Sequence, residues 1–312
     1  MSVSVKGELV RRAAGENIWL GNPVSANESS VTELTTHPLN FEVLESEEKV
    51  GRAQWDEIQL AAAEKQGDLV IVLLGGRGAQ ALHRLLGKIS QTHEADELLN
   101  RCHIFTQDAL APMRMDNGFS FVRDFERLLG EAFFKKVKSF TPMRTDTSDL
   151  EGELSRYLDR LRSLGGIDIF FLGFGPEANA ASHLAYIKPG SGATANDLAG
   201  VIPVSSSILE HHISKFKAGG SIVTSEDEEE CRRATHIFTL GPAAILSSRR
   251  VVQSVVDAAT APSKRISYRN LLDTDISVDA GERANQLDEN PGLWIRLHSN
   301  ARSLILPDVL HA

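Results

Sequence analysis

The sequence predicts an α/β fold: three layers, α/β/α, around a central, mainly parallel sheet. Three observations carry the prediction. Short apolar runs recur along the chain, as strands buried on both faces require. Stretches with helical apolar spacing stand between them, and strands alternating with helices build a parallel sheet covered on both faces. Glycine-containing turns follow two of the runs, at 75–78 and 173–175, and in open α/β sheets ligands bind where strands end at their carboxyl edge.

The elements follow in order. Residues 1–38 are polar and mixed, and read as an extension that is partly disordered or packed on the surface, leaving 39–312 as one α/β domain. Residues 41–65 place Val43, Val50, Ala53, Trp55, Ile58 and Ala61 at helical spacing. Residues 68–74 (DLVIVLL) form the first buried strand, followed by the GGRG turn and a helix over 79–89. A second strand falls at 103–107, helices at 119–138 and 148–164, and a third strand at 167–172. Residues 200–204 and 236–240 read as a fourth and a fifth strand, with a helix start at Gly241-Pro242. Residues 251–255 read as a sixth strand, followed by 263–271. The acidic run 225–230 (SEDEEE) reads as a solvated loop or a helix start.

Composition narrows the function classes. The chain of 312 residues carries a formal net charge of -9 and no basic stripe, which argues against nucleic acid as the main partner. No apolar run approaches the ~20 residues that span a bilayer, and residues 1–20 show no signal-peptide core. Neither a membrane nor a secretory route is expected, and cytoplasmic is the default. Two cysteines, Cys102 and Cys231, make neither a disulfide framework nor a zinc cluster.

Four constellations could carry chemistry. Gly75, Gly76, Arg77 and Gly78 stand between a strand and a helix. Backbone N–H groups there can turn toward an anion, and Arg77 could add a bidentate phosphate contact; a purely structural tight turn reads equally well. Asp108, just past a strand end, is a general base if water is restricted, or a turn or cap residue. Glu177, Asn179, His183 and Lys188 follow the strand at 167–172, where a histidine can shuttle protons or simply be structural. Lys264 stands at a predicted helix start, where a solvated lysine is the plain reading. His211-His212 are adjacent and cannot face one metal from a helix, and no grouping has metal-ligand spacing. There is no GxSxG elbow.

Taken in order, these pieces resemble the family of glucosamine-6-phosphate deaminases (isomerases) and 6-phosphogluconolactonases, from about residue 39 onward. VIVLLGGRGAQAL stands for the family's strand, Gly-rich turn and helix, and HIFTQDAL for its strand ending in a catalytic aspartate. GGIDIFFLGFGPEANAAS and HLAYIKPGS stand for GGID-strand-G-x-G-Asp-Gly-His and the deaminases' HIAFNEPGS. HIFTLGPAAILSSRRVV and the following Lys264 match a strand, T-x-G, helix and lysine, and WIRLHSN at 294–300 matches L-x-L-H-x-N. The resemblance implies a Rossmann-like fold, a phosphorylated sugar as small-molecule partner and no cofactor. A homo-oligomer is admitted, since the family holds monomers and larger assemblies.

The resemblance also implies roles. In an aldose–ketose isomerisation with loss of ammonia, Asp108 moves a proton between C2 and C1, and the family histidine assists ring opening. Lys264 and the GGRG turn, with Lys215, hold the phosphate. The histidine region aligns in two ways. Ungapped, Glu177 and Asn179 replace the family's Asp and His; with a four-residue insertion, His183 takes the histidine's place, and the HLAYIKPGS match favours His183. Lys188 then stands where the deaminases have the glutamate that orients and charges the histidine, and a lysine beside it is expected to depress its pKa. The family's turn carries hydroxyls that Gly75-Gly76-Arg77-Gly78-Ala79 lacks, and Ala109 replaces a second acid. Two alternatives follow: a hydrolase of sugar-phosphate lactones, and a sugar-phosphate sensor that has lost catalysis.

Overall fold

The computed structural model describes residues 9–12, 17–21 and 34–310. The elements begin with β1 (Leu9–Arg12), β2 (Asn17–Gly21), β3 (Asn40–Val43), α1 (Glu47–Glu64), β4 (Leu69–Leu73), α2 (Arg77–Ile89) and α3 (Asp96–Leu99). Next come β5 (Cys102–Thr106), β6 (Asp108–Ala111), α4 (Phe121–Lys136), β7 (Ser139–Thr141), α5 (Leu150–Ser163), β8 (Ile169–Leu172), β9 (Phe174–Pro176) and β10 (Ser182–Leu184). The rest are β11 (Asp197–Pro203), α6 (Ser206–Ala218), α7 (Ser225–Arg232), β12 (His236–Leu240), α8 (Pro242–Ser247), β13 (Arg250–Val255), α9 (Ser263–Asp273), α10 (Ala280–Glu289) and β14 (Ala301–Ile305).

Seven strands form a central sheet in the order β3-β14-β13-β8-β4-β5-β7, every pair parallel, flanked by helices. Every residue of β4, β5 and β8 is buried, which is why β4 and β8 are continuous apolar or aromatic runs rather than alternating ones. From the β4/β8 seam the chain builds outward both ways, β4 to β5 to β7 and β8 to β13 to β14. The carboxyl ends of β4 and β8 therefore flank a topological switch point, where successive loops leave in opposite directions and open a crevice.

The structure corrects the sequence reading in three places. The helix expected over 41–65 splits. Asn40–Val43 is an edge strand whose Glu42 pairs with Arg302 of β14, and the helix starts after Ser46, whose hydroxyl accepts the Lys49 N–H ahead of Glu47 and Glu48. The strands expected at 200–204 and 236–240 do not join the parallel sheet. As β11 and β12 they pair antiparallel in a second sheet, β1-β2-β11-β12-β6. A strand buried on both faces gives the same local signal in either sheet, so the pattern does not choose its partner. Gln107 is the hinge between them: the chain leaves β5 of the first sheet there and enters β6 of the second at Asp108.

The polar N-terminal extension is corrected at residues 17–21. These form an inner strand of the second sheet, with Trp19 wholly buried and its Nε1–H donating to the Ser191 carbonyl at 2.9 Å. Residues 1–8, 13–16 and 22–33 of that extension lie outside the described residues. The acidic run does open a helix, α7, through a capping box between Thr224 and Asp227. Among the described residues no helix is long and apolar enough to cross a membrane.

Candidate active site

A cleft opens at the switch point, where ligands of open α/β sheets bind. Its floor comes from the ends of four parallel strands: Gly75, Gly76, Arg77 and Gly78 after β4, Gln107 and Asp108 after β5, Gly173, Phe174 and Gly175 after β8, and Ser254 and Asp257 at and beyond the end of β13. Its wall comes from His183, Ala185 and Tyr186 beyond β9, from His211, His212, Lys215 and Phe216 of α6, and from Lys264 of α9. Asn179 and Lys188 are not among the lining residues.

Asp108 is held on one side only. Gln107 accepts the Gly173 N–H at its Oε1 (3.3 Å), which turns its Nε2 to donate to Asp108 Oδ2 at 2.6 Å. Asp108 Oδ1 is buried without a hydrogen-bond partner. Burial, opposed only by the Gln107 hydrogen bond, raises this carboxyl from 3.8 to about 7. A carboxyl tuned to neutrality with one unpartnered oxygen, on a residue lining a cleft, is suited to taking up and returning a proton.

His183 lies flat against the β9 strand. Its Nδ1 is 2.7 Å from Glu177 Oε1, and the carboxylate can only accept, so Nδ1 carries the proton and Nε2 is the open nitrogen. Gly175, the register partner of His183, makes room: a Cβ there would lie 1.9 Å from His183 Cε1 and Nε2. The structure thus brings Glu177 and His183 together as a pair. Asn179 instead sits exposed, with a left-handed φ of 57°, on the turn between β9 and β10.

Lys188 bonds another part of the chain. Directly after β10 the chain makes a tight turn in which Leu184 and Ile187 exchange backbone hydrogen bonds. That turn carries Lys188 away, and its Nζ donates to the Pro203 carbonyl at 2.7 Å. The carboxylate beside His183 is supplied by Glu177 from the preceding strand instead.

The cationic end of the cleft differs from the plain reading of Lys264 as a solvated residue. Lys264 is 6% exposed and pairs with Asp257, which also binds Lys215 at 2.9 Å. Burial alone would raise Asp257, but the two ammonium groups outweigh it and hold the carboxyl well below its usual range. Burial lowers Lys264, opposed by Asp257. Arg77 pairs with Glu47 and donates to Gln80 Oε1 at 3.3 Å, so its guanidinium is partly committed. Gly76, with φ 74°, caps α2 without a side chain, so the first N–H groups of a 13-residue helix face the cleft with their dipole. Burial first, then Lys264, His183 and Lys215, push His211 down to about 3, so it lines the cleft as a neutral imidazole.

Sequence reasoning missed Gln107, Tyr186, His211, His212, Ser254 and Asp257. Only Asp257, seven residues before Lys264 in VDAATAPSK, left a local signal: an acid just past an apolar run. The described residues contain no group of three or more metal-ligating side chains.

No protein-family model matches the chain. Its sequence is similar to glucosamine-6-phosphate deaminases. One from Bacteroides thetaiotaomicron is 43% identical over 59 residues, and one from Bacillus pumilus is 23% identical over 258 residues, 82% of this chain and 97% of that protein. The chain's matches to the Bacteroides relatives span only about a fifth of those proteins' length. Among solved structures, a monomeric glucosamine-6-phosphate deaminase superposes with a TM-score of 0.65 at 20% identity, over 87% of this chain and 98% of that one. The 6-phosphogluconolactonase from Trypanosoma cruzi superposes with a TM-score of 0.62 at 15% identity, over 89% and 99%. The chain is thus similar in sequence to glucosamine-6-phosphate deaminases, and it has the fold of that deaminase structure and of the 6-phosphogluconolactonase structures.

Proposed function

We propose that the protein is an enzyme of sugar-phosphate metabolism that isomerises and deaminates a 2-amino sugar phosphate. The observation that carries the reading is Asp108: a buried carboxyl raised to about 7, one oxygen without a hydrogen-bond partner, in the same cleft as His183, whose Nδ1 meets Glu177. The likeness to glucosamine-6-phosphate deaminases supports it.

The chemistry follows from those groups. The phosphate sits at the α2 N-terminus, near Lys264 and Lys215, where a dianion is favoured by helix dipole and ammonium charge. His183, with Nδ1–H on Glu177, accepts the proton of the anomeric hydroxyl at Nε2. It returns that proton to the ring oxygen as the C1–O5 bond breaks. Asp108 then takes the C2 proton of the open aldehyde and delivers it to C1, while a proton passes from the amine nitrogen to O1. Water hydrolyses the resulting C2 imine to the ketone and ammonia.

A second reading rests on the same histidine. With Nε2 open and Nδ1 fixed, His183 can deprotonate a water that attacks the carbonyl of a sugar-phosphate lactone, breaking its C1–O ring bond; the likeness to 6-phosphogluconolactonases supports this. Turnover separates the two. We expect ammonia and fructose 6-phosphate from glucosamine 6-phosphate, at a rate rising with pH through about 7 as Asp108 ionises, and abolished in Asp108→Asn. Turnover of 6-phosphogluconolactone alone establishes the second reading, and turnover of neither refutes both.

A further inference from the structure

Tyr186 stands where the deaminase motif HIAFNEPGS has phenylalanine, and it lines the cleft. It occupies a strained place. Ala185 and Tyr186, at the tip of the turn after β10, both have left-handed φ values, 51° and 58°, and neither is glycine. The Tyr186 ring lies 5.3 Å from the His183 ring and is stacked at 6.4 Å on Phe121, and its hydroxyl is 3.2 Å from His212 Nδ1.

His212 fixes the direction of that hydrogen bond. Its Nε2 is 2.8 Å from the Phe119 carbonyl, which can only accept, so Nε2 carries a proton. Burial pushes His212 down to about 4, so the ring is neutral and Nδ1 is bare. The ring is locked further by stacking on Phe216 at 4.3 Å and by the edge of Phe121 at 5.1 Å. Tyr186 must therefore spend its one proton on Nδ1. Burial, and then the charge of nearby Asp108, push the Tyr186 hydroxyl well above its usual value, so it keeps that proton. What the hydroxyl offers the cleft is lone pairs only, and Asp108 and His183 line the same cleft.

We propose that the Tyr186 oxygen accepts a hydrogen bond from a substrate O–H or N–H group beside Asp108, and so determines specificity at the reacting end of the sugar. This deepens the function proposed above and rests on it. A substrate with a hydroxyl or amine at that place satisfies the oxygen, whereas an analogue lacking it leaves a desolvated acceptor unpaired, the asymmetry by which polar sites reject near-isosteres.

Tyr186→Phe keeps the ring and its packing and removes only the oxygen. We expect its kcat/KM on glucosamine 6-phosphate to fall about tenfold, the effect of one lost hydrogen bond to substrate, and the melting temperature to drop by a few degrees as His212 Nδ1 loses its donor, the fold being kept. A wild-type enzyme that turns over while Tyr186→Phe matches its kcat/KM overturns the inference and leaves the function standing. If the wild type turns over neither substrate, the proposed function falls, and calorimetric titration with glucosamine 6-phosphate decides the contact. Binding about tenfold weaker in Tyr186→Phe supports it; equal affinity, or no binding to either protein, overturns it. Nitrogen NMR of the ligand-free protein checks the donor direction. His212 Nδ1 should be bare and should shift downfield in Tyr186→Phe, whereas a proton on Nδ1 in the wild type overturns the acceptor geometry.

Discussion

Asp108→Asn separates what the carboxyl does for chemistry from what it does to the fold. Burial raises its pKa from 3.8 to about 7, so between those values the folded chain holds a proton that the unfolded chain has released. Stability then falls as pH rises. The favourable contribution is fully present below 3.8 and is lost as pH climbs to about 7. At 1.36 kcal/mol per pH unit, the gap amounts to about 4 kcal/mol. Asparagine cannot ionise, and its carbonyl can still accept from Gln107 Nε2, as Asp108 Oδ2 does. The variant should therefore match the wild type near pH 4. It should exceed it by up to about 4 kcal/mol at pH 8 and above, while turnover is lost. Urea unfolding of both proteins from pH 4 to 8 reads this directly, because every other titrating group is common to the pair. The difference curve should rise by roughly 1.4 kcal/mol per pH unit until it levels near neutrality. A flat curve, or a wild type more stable at pH 8, means that Asp108 is ionised in the fold and not a proton carrier.

Two further substitutions test the machinery around it. In Gly175→Ala the new Cβ displaces the His183 ring from the strand and breaks its pair with Glu177, so turnover should fall by about 100-fold or more with the circular dichroism spectrum retained. An unchanged kcat removes His183 from the mechanism. In Asp257→Asn the buried Lys264 loses its counter-charge and faces Lys215 unscreened, so urea unfolding at pH 7 should show a loss of roughly 3–5 kcal/mol. No loss would mean that the two ammonium groups find other partners.

What the sequence disclosed is what short segments disclose. DLVIVLL-GGRG, HIFTQD and IDIFFLGFG each contain a buried strand and the turn that ends it, so the middle of the central sheet, the GGRG turn and the strand-end place of Asp108 were legible, whereas β3, β7 and β14 were not read as strands. Glu177 and His183 are six residues apart, and a hairpin suffices to join them. The second sheet was not legible, because its strands β11 and β12 carry the same apolar signal as the parallel ones, and only pairing distinguishes them. His211, His212 and Asp257 were missed because α6 and the end of β13 are distant in sequence and meet at the cleft only in the fold, through Lys215 and Asp257. His211-His212 was weighed only as a metal pair, although both imidazoles line the cleft and His212 also anchors Tyr186.

The burial of Trp19 has a consequence for how the chain is made. Its strand β2 pairs with β11, and its indole bonds to Ser191, 172 residues downstream. At ~5–20 residues per second, a ribosome takes roughly 9–34 s to deliver that partner. The edge strand β3 waits longer still, since β14 reaches it from residues 301–305. β2 and β3 therefore both wait for partners made much later, β11 and β14. Contacts this distant in sequence slow folding, and they make the docking of β2 and β3, rather than the forming of the β4–β8 centre, the late event in assembly.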